Sequence, residues 1–360
     1  MKQHQKLQGM NTTIRRYRTN STDVVQIPVD AYNGPNGVHV LSLPVKRSYF
    51  REPFFIDSLS SVFKVIKLLV KLPEENETLA RHLHHVVGHR GKSTTLNSFI
   101  KANIKLQSNK KLGFILHMSR CGSTLVAQML ASNDRFFVLS EPTIINAILD
   151  PALHISREDR SKLLHASVVA LAKCSPLVCD HVFIKFRSWN VLYLDLILKQ
   201  FPNVHWIFIH RNGVEVLASV LDKPPGWFRS RKNYANHFAK SLKVRSGIVK
   251  NLDDSEYVAR MLGTFCRIAN QKRRQCGIFL DYENLKTLLP QVIRDVWKIN
   301  LTYKDTLIMS RIARLYSKDI SKTVIFKSDS RLKRNQISAE QKKLINEFVE
   351  TERKKLTSKS

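Results

Sequence analysis

The sequence predicts a doubly wound α/β fold, a mostly parallel sheet with helices on both faces. Two observations predict it. From Lys111 onward, short apolar runs at 114–118, 136–139, 182–184, 204–209 and 278–280 alternate with stretches of helical periodicity at 123–131, 160–173, 191–200, 214–221 and 257–275. The runs are also continuous rather than alternating, which marks strands buried on both faces, as in a parallel sheet covered by helices. The first run leads through a tight turn at Gly122 straight into an amphipathic segment, a strand–loop–helix unit.

Taken in order, residues 1–40 are polar and rich in Asn, Thr and Gly, and read as a flexible or loosely packed arm. Residues 41–110 read as a helical lead-in. Phe50, Phe54, Phe55, Ile56, Leu59, Val62, Phe63 and Ile66 form a helical stripe there. Gly91-Lys92-Ser93 resembles the end of an ATP-binding loop, but Val86 stands where the earlier glycine is required. His82, His84, His85 and His89 run along an expected helix with nothing nearby to orient them on a metal. Residues 111–335 hold the α/β domain. Inside it, Lys223-Pro-Pro-Gly-Trp-Phe-Arg229 reads as a rigid loop with exposed aromatics: a lid, an acceptor wall or a plain surface turn. Residues 336–360 form a C-terminal helix and tail. Ser338-Ala-Glu-Gln341 is a capping box, and Leu344, Ile345, Phe348 and Val349 make one apolar face.

The 360 residues carry 59 Lys+Arg against 29 Asp+Glu, a formal charge of +30. Such a balance attracts anions: nucleic acid, acidic lipid, or phosphorylated and sulfated ligands. The basic residues are spread along the chain rather than gathered in one arm, so a nucleic-acid partner is not expected. Five cysteines in no zinc-binding spacing point to thiols in a reducing compartment. Residues 1–18 have no apolar core, and the best apolar run, 62–72, is broken by Lys64, Lys67 and Lys71. The expectation is a cytoplasmic protein with no membrane span; its oligomeric state stays open.

Ligands of doubly wound sheets sit beyond the carboxyl ends of the strands. After the first apolar run comes Ser119-Arg120-Cys121-Gly122-Ser123-Thr124; after the second, Glu141; the third ends in Lys185 and the fourth in Arg211. Three side-chain cations, one carboxylate and a loop of backbone N–H groups at a helix start thus share one rim. Such a loop holds a phosphate or sulfate without a metal. Cys121 at that helix start could have its thiol pKa lowered. His117 and His210 fall within strand runs and read as core or rim residues.

The loop differs from that of nucleotide triphosphatases, which needs a Lys where Ser123 stands. It resembles the phosphosulfate loop of the sulfotransferases, with Ser119 and Cys121 replacing the usual proline and serine. Arg211 with Ser219 eight residues on is similar to that family's second motif, which holds the 3′-phosphate of 3′-phosphoadenosine 5′-phosphosulfate (PAPS). The order Arg120, Glu141, Lys185, Arg211 resembles the tyrosylprotein sulfotransferase branch. Leu280-Asp-Tyr-Glu-Asn-Leu285 resembles a later segment of the family. Soluble bacterial sulfotransferase-like proteins share the same parts. The resemblance covers roughly residues 111–285 and implies a sheet of P-loop nucleoside-triphosphatase-like type. It also implies PAPS as donor, no metal, Glu141 as general base, and Arg120 and Lys185 stabilising the transferred group. Ser119 to Thr124 with Arg211 and Ser219 would hold the donor, and Lys318, Lys322 or Lys327 could cover it. The acceptor stays open among small molecules, glycans and proteins. Competing readings are a P-loop kinase-like nucleotide binder, a non-catalytic basic binder of polyanions or nucleic acid, and a fold that keeps the anion loop without an acceptor pocket.

Overall fold

The computed structural model describes residues 24–34, 36–46, 91–104, 110–315, 324–325 and 329–357. The chain opens on a small antiparallel sheet of β1 (Val24–Gly34), β2 (Gly37–Lys46) and β3 (Lys92–Thr95), in that order. The hairpin closes at the Gly34↔Gly37 pair, where Gly37 takes φ +102°, a conformation that glycine adopts without steric cost. Residues 27–31 form one unbroken buried stretch, with Ile27 and Val29 fully covered, so residues 24–34 and 36–40 are a packed hairpin rather than the loosely packed arm expected. The Asn and Gly content that suggested an arm belongs to the turn, and the strand leading into it is buried on both faces over 27–31. The expected helical lead-in is likewise strand over 41–46 and over β3; Gly91-Lys92-Ser93 enters an edge strand, not a phosphate loop. The stripe within 48–72 and the histidines at 82–89 lie outside the described residues.

Five parallel strands form the main sheet: β4 (Lys111–His117), β5 (Phe136–Ser140), β6 (His181–Lys185), β7 (His205–His210) and β8 (Gly277–Asp281). Their spatial order is β5-β6-β4-β7-β8. The chain steps from β4 across to β5, then returns past β4 to β7 and β8. Right-handed crossovers therefore place the first connection on one face and the later ones on the other. That is the doubly wound arrangement expected. Its interior is the apolar runs themselves: Phe114, Ile115, Leu116, Val182, Phe183, Ile184, Trp206, Ile207 and Phe208 have no measurable exposure.

The helices are α1 (Leu96–Ala102), α2 (Ser123–Ala131), α3 (Thr143–Leu149), α4 (Arg157–Lys173), α5 (Leu194–Gln200), α6 (Gly213–Asp222), α7 (Gly226–Arg229) and α8 (Ala235–Leu242). They continue with α9 (Ser246–Asn251), α10 (Asp254–Gln271), α11 (Leu285–Asp295), α12 (Tyr303–Ile312), α13 (Ser330–Asn335), α14 (Ala339–Ile345) and α15 (Thr351–Thr357). The capping box closes as read: Ser338 Oγ accepts the Gln341 N–H, and Gln341 Oε1 accepts the Ser338 N–H. Between α14 and α15 the helix widens into one π-helical turn, Asn346–Glu350. Gly263 of α10 faces it, and a Cβ there would stand 2.0 Å from the Phe348 carbonyl oxygen. The terminal helix thus seats backbone-close against α10, with Ile345 and Val349 buried.

Candidate functional site

The loop after β4 takes a backbone path that side chains seldom allow. Ser119, Arg120 and Gly122 have φ of 87°, 47° and 84°. Two non-glycine residues in a row at positive φ persist only where their surroundings enforce it. His117 is one enforcer. Its Nδ1 accepts the Ser119 N–H at 3.1 Å, which leaves the proton on Nε2 to be donated to the Phe186 carbonyl at 3.1 Å. Burial, helped by Lys185, pushes its pKa down to about 3, so the ring is a neutral strut. Cys121 is another. Its Sγ donates to the Ile209 carbonyl, and burial pushes the thiol up to about 12. The helix start therefore does not yield a reactive thiolate, contrary to the expectation for an exposed one. Gly122 must be glycine twice over: its φ is positive, and a Cβ would lie 2.7 Å from the Tyr282 ring. It begins α2 with no side chain capping that end, so the first N–H groups of the helix are open to an anion.

The second strand tip delivers Glu141, at φ 60°, with its N–H donated to the Lys185 carbonyl at 2.7 Å. Its carboxylate oxygen Oε1 is bonded to Lys185 Nζ, and Oε2 lies 3.6 Å from Arg187 Nε. Lys185 also donates to Ser140 Oγ at 3.4 Å. Burial alone would raise the Glu141 pKa, but Lys185 and Arg187 outweigh it and hold the carboxyl down at about 2. Glu141 is therefore an ion-paired carboxylate, with Lys185 and not Arg120 as partner. Arg120 instead donates from Nη2 to the Lys223 carbonyl, tying the loop to the segment beyond α6.

Arg211 immediately follows β7 and is buried. Its Nε and Nη2 reach Glu215 Oε2 at 2.6 and 2.5 Å, one helical turn along α6. Nη2 also donates to Ser330 Oγ at 3.0 Å, and the guanidinium lies 4.2 Å from the centre of the Tyr282 ring. Arg334 takes the other Glu215 oxygen, at 2.6 Å. A buried Arg–Glu pair is thus braced from α13 and from the turn after β8.

These tips enclose a cavity of about 730 Å³. Ser119 to Thr124, Glu141, Lys185, Arg211 and Ser219, the expected catalytic and donor-binding set, all line it. The segment 223–229 lines it too, as wall and not as an exposed flap. Trp227 is buried, accepts the Tyr257 O–H at its carbonyl and packs on Phe265; Phe228 is half-buried. A second depression, of about 540 Å³, lies at the opposite ends of the strands, among Lys111, His181, Phe201, Trp297 and Lys298. It is remote from the strand-tip carboxylate and cations. Among the described residues no group of three or more His, Cys, Asp or Glu could hold a metal ion, and no helix is long and apolar enough to cross a membrane. None of the five cysteines forms a disulfide. Lys318, Lys322 and Lys327 lie outside the described residues.

Sequence reasoning missed Arg187, Glu215, Tyr282, Ser330 and Arg334. Glu215 was findable, since a carboxylate one turn beyond an arginine at a helix start is a standard pairing distance. Tyr282 sat inside a segment already noted. Ser330 and Arg334 lie more than a hundred residues from Arg211 along the chain, and nothing local announces them.

No family model matches the chain. A relative from Aquifex aeolicus (strain VF5), an uncharacterized protein, is 27% identical over 207 residues, which cover 52% of this chain and 25% of that protein. The chain therefore spans about a quarter of that relative's length. Among solved structures, it is similar to sulfotransferase STF9 from Mycobacterium avium (TM-score 0.43, 11% identity, 71% of this chain and 81% of that one). It is also similar to the sulfotransferase domain from the curacin biosynthetic pathway (TM-score 0.37, 14% identity, 63% and 97%). A third is retinol dehydratase in a complex with retinol and PAP (TM-score 0.36, 13% identity, 75% and 89%). At such identities and scores the similarity does not bear on what this chain binds or transforms.

Proposed function

We propose that the chain is a sulfotransferase, moving a sulfuryl group from PAPS to an acceptor hydroxyl or amine without a metal. One observation carries this reading. Three cations from three separate strand ends, Arg120, Lys185 and Arg211, meet an uncapped helix start and the Glu141 carboxylate around a single cavity. A cradle of that kind suits a donor with two anionic ends. The loop Ser119 to Thr124 would take the 5′-phosphosulfate, and Arg211 with Ser219 the 3′-phosphate. Arg334 on the far oxygen of Glu215 offsets the charge that Glu215 sets against Arg211.

In the step itself, the acceptor oxygen attacks sulfur in line, and a new S–O bond forms as the bond from sulfur to the 5′-phosphate oxygen breaks. The electron pair leaves on that oxygen, giving PAP. The acceptor proton passes to Glu141. Lys185 and the α2 N–H groups face the charge that grows on the leaving oxygen, where fixed donors act most strongly. Lys185 therefore has two partners in sequence. Paired with Glu141 it depresses the base; drawn toward the departing phosphate, it returns basicity to Glu141 as the proton must move.

Calorimetric titration with PAP tests the reading. The wild type should bind PAP without magnesium, and Arg211→Ala should bind it about a hundredfold more weakly, as expected for losing a charge-assisted contact. Preference for ATP–magnesium over PAP would favour the kinase-like alternative, and steeply salt-dependent binding of any polyanion would favour a basic binder. Undiminished PAP affinity in Arg211→Ala would end the proposal.

A further inference from the structure

The donor cradle accounts for Arg120, Lys185 and Arg211, but not for Arg187. This residue stands two positions past the end of β6, and its Nε approaches Glu141 Oε2 to 3.6 Å, short of a good hydrogen bond. Its side chain is 44% exposed, where Lys185 is 1% exposed. The Glu141 carboxylate is thus shared unevenly, with a buried lysine bonded to one oxygen and a half-open arginine hovering at the other. A guanidinium beside a proton acceptor works against proton uptake unless something draws it away. The cavity wall around it is cationic too. Besides the donor-side residues, Arg187, Lys223 and Arg229 line the cavity, with Asp222 and Asp329 as carboxylates there; Asp329 is already paired with Lys333 at 2.8 Å. Trp189, half-buried and two residues from Arg187, lines the same cavity.

We propose that Arg187 is the docking point for an anionic group on the acceptor, so that the substrate class is a ring-bearing hydroxyl compound carrying its own carboxylate. The inference rests on the donor reading above. A planar guanidinium grips a carboxylate through two parallel N–H bonds, which its single long approach to Glu141 does not provide. The acceptor carboxylate takes Arg187, the ring lies on Trp189, and the hydroxyl comes to Glu141. Docking frees Glu141 from one of its two cations as the nucleophile arrives. A neutral acceptor leaves Arg187 where it is and meets a weaker base. Recognition of the acid and activation of the base are then one event.

The test uses matched acceptors with PAPS: phenol against para-hydroxybenzoate, and benzyl alcohol against para-(hydroxymethyl)benzoate. Wild type should favour the carboxylated member of each pair by about tenfold to a hundredfold in kcat/KM, the range of a charge-assisted bidentate contact. Arg187→Ala should abolish that preference by changes of opposite sign: the acid reacts more slowly and the neutral compound faster. Arg187→Lys should keep part of the preference. Thermal midpoints of both variants check that they fold. Equal losses for both members of a pair, or no preference in the wild type, would overturn the inference. Should none of the four turn over, titration of the PAP-bound protein with para-hydroxybenzoate decides instead: binding lost in Arg187→Ala supports it, and absent or unaltered binding removes it. A wild type that binds no PAP removes the donor reading and this inference together, whereas PAP binding without acid preference removes this inference alone.

Discussion

Two ion pairs flank the cavity, and they differ in how far each is closed off. In one, Lys185 is 1% exposed while its partner Glu141 is 21% exposed and has Arg187 waiting outside. In the other, Arg211 and Glu215 are 7% and 3% exposed, and Ser330, Arg334 and Tyr282 close around them. The first pair opens onto the cavity and can exchange partners; the second has little room to do so. A charge meant to take part in a reaction needs a partner it can leave. A charge meant to hold a fixed anion benefits from one it cannot. Under the proposed function the same chemistry, a basic residue on a carboxylate, would be a moving part in one place and a bracket in the other.

The comparison breaks first at Glu141. Glu141→Gln should lower turnover by about a hundredfold to ten-thousandfold, the usual contribution of a general base, and leave PAP binding intact. Its effect on stability should be present at neutral pH and vanish in strong acid. Burial raises and the neighbouring cations lower the Glu141 carboxyl, and the net folded pKa is about 2 against an ordinary 4.5. A depressed carboxylate stabilises the fold above its ordinary pKa and loses that contribution as pH falls through about 2. His117, held by burial at about 3 against 6.5, acts earlier: its contribution fades as pH falls from 6.5 toward 3. Urea midpoints measured against pH should therefore decline in two overlapping stages, and Glu141→Gln should flatten only the lower one. A variant that retains full turnover, or that flattens the upper stage, would put Glu141 in the same structural class as Glu215.

Next in size is Glu215. Removing one member of a buried pair leaves the other charge uncompensated, at a cost of about 3 to 5 kcal/mol, and exposed Arg334 should ease this toward the low end. Glu215→Ala should thus lower the unfolding free energy by about 3 kcal/mol, where Glu141→Gln at neutral pH costs less because water reaches it. Chemical denaturation of the two variants side by side checks the ranking. A milder loss for Glu215 than for Glu141 would reverse the roles given to the two pairs.

How far the sequence foretold this depends on how each part is encoded. The main sheet was legible because its strands are buried on both faces, so their apolar runs stand out at 114–118 and 204–209 without help from the rest of the chain. The convergence of the loop 119–124 and the strand-end residues Glu141, Lys185 and Arg211 on one cavity was legible for the same reason, since a strand fixes where its next residue points. The hairpin was not. Its buried stretch 27–31 contains Pro28 and Asp30, residues that seldom mark a covered strand, and five consecutive positions around the turn are Asn, Gly or Pro. Nor was the bracket on Arg211, because Ser330 and Arg334 arrive by packing of a helix that leaves no mark near residue 211. Lys223 to Arg229 misled in the opposite sense: two prolines and a glycine suggested exposure, whereas Trp227 fills a space between α7 and α10.

The smallest effect lies at the outer edge of the bracket. Glu350, at the end of the π-helical turn, accepts the Gly213 N–H at 2.8 Å, the first residue of α6 and two past Arg211. Its other oxygen takes Arg353 Nε at 2.7 Å, and Arg353 Nη1 reaches Asp281 at the end of β8, next to Tyr282. The terminal helix therefore holds both segments that enclose Arg211, one through each residue. Glu350→Gln keeps an oxygen for Gly213 and gives up the charge on Arg353, so it should cost about 1 kcal/mol or less and leave PAP affinity nearly unchanged. Glu350→Ala removes both bonds, and it should weaken PAP binding severalfold while speeding hydrogen exchange over 209–219 and 278–285. If exchange quickens in only one of those stretches, the helix braces that side alone. If PAP affinity is the same in both variants, the fixity of Arg211 comes from Glu215 without help from the C-terminus.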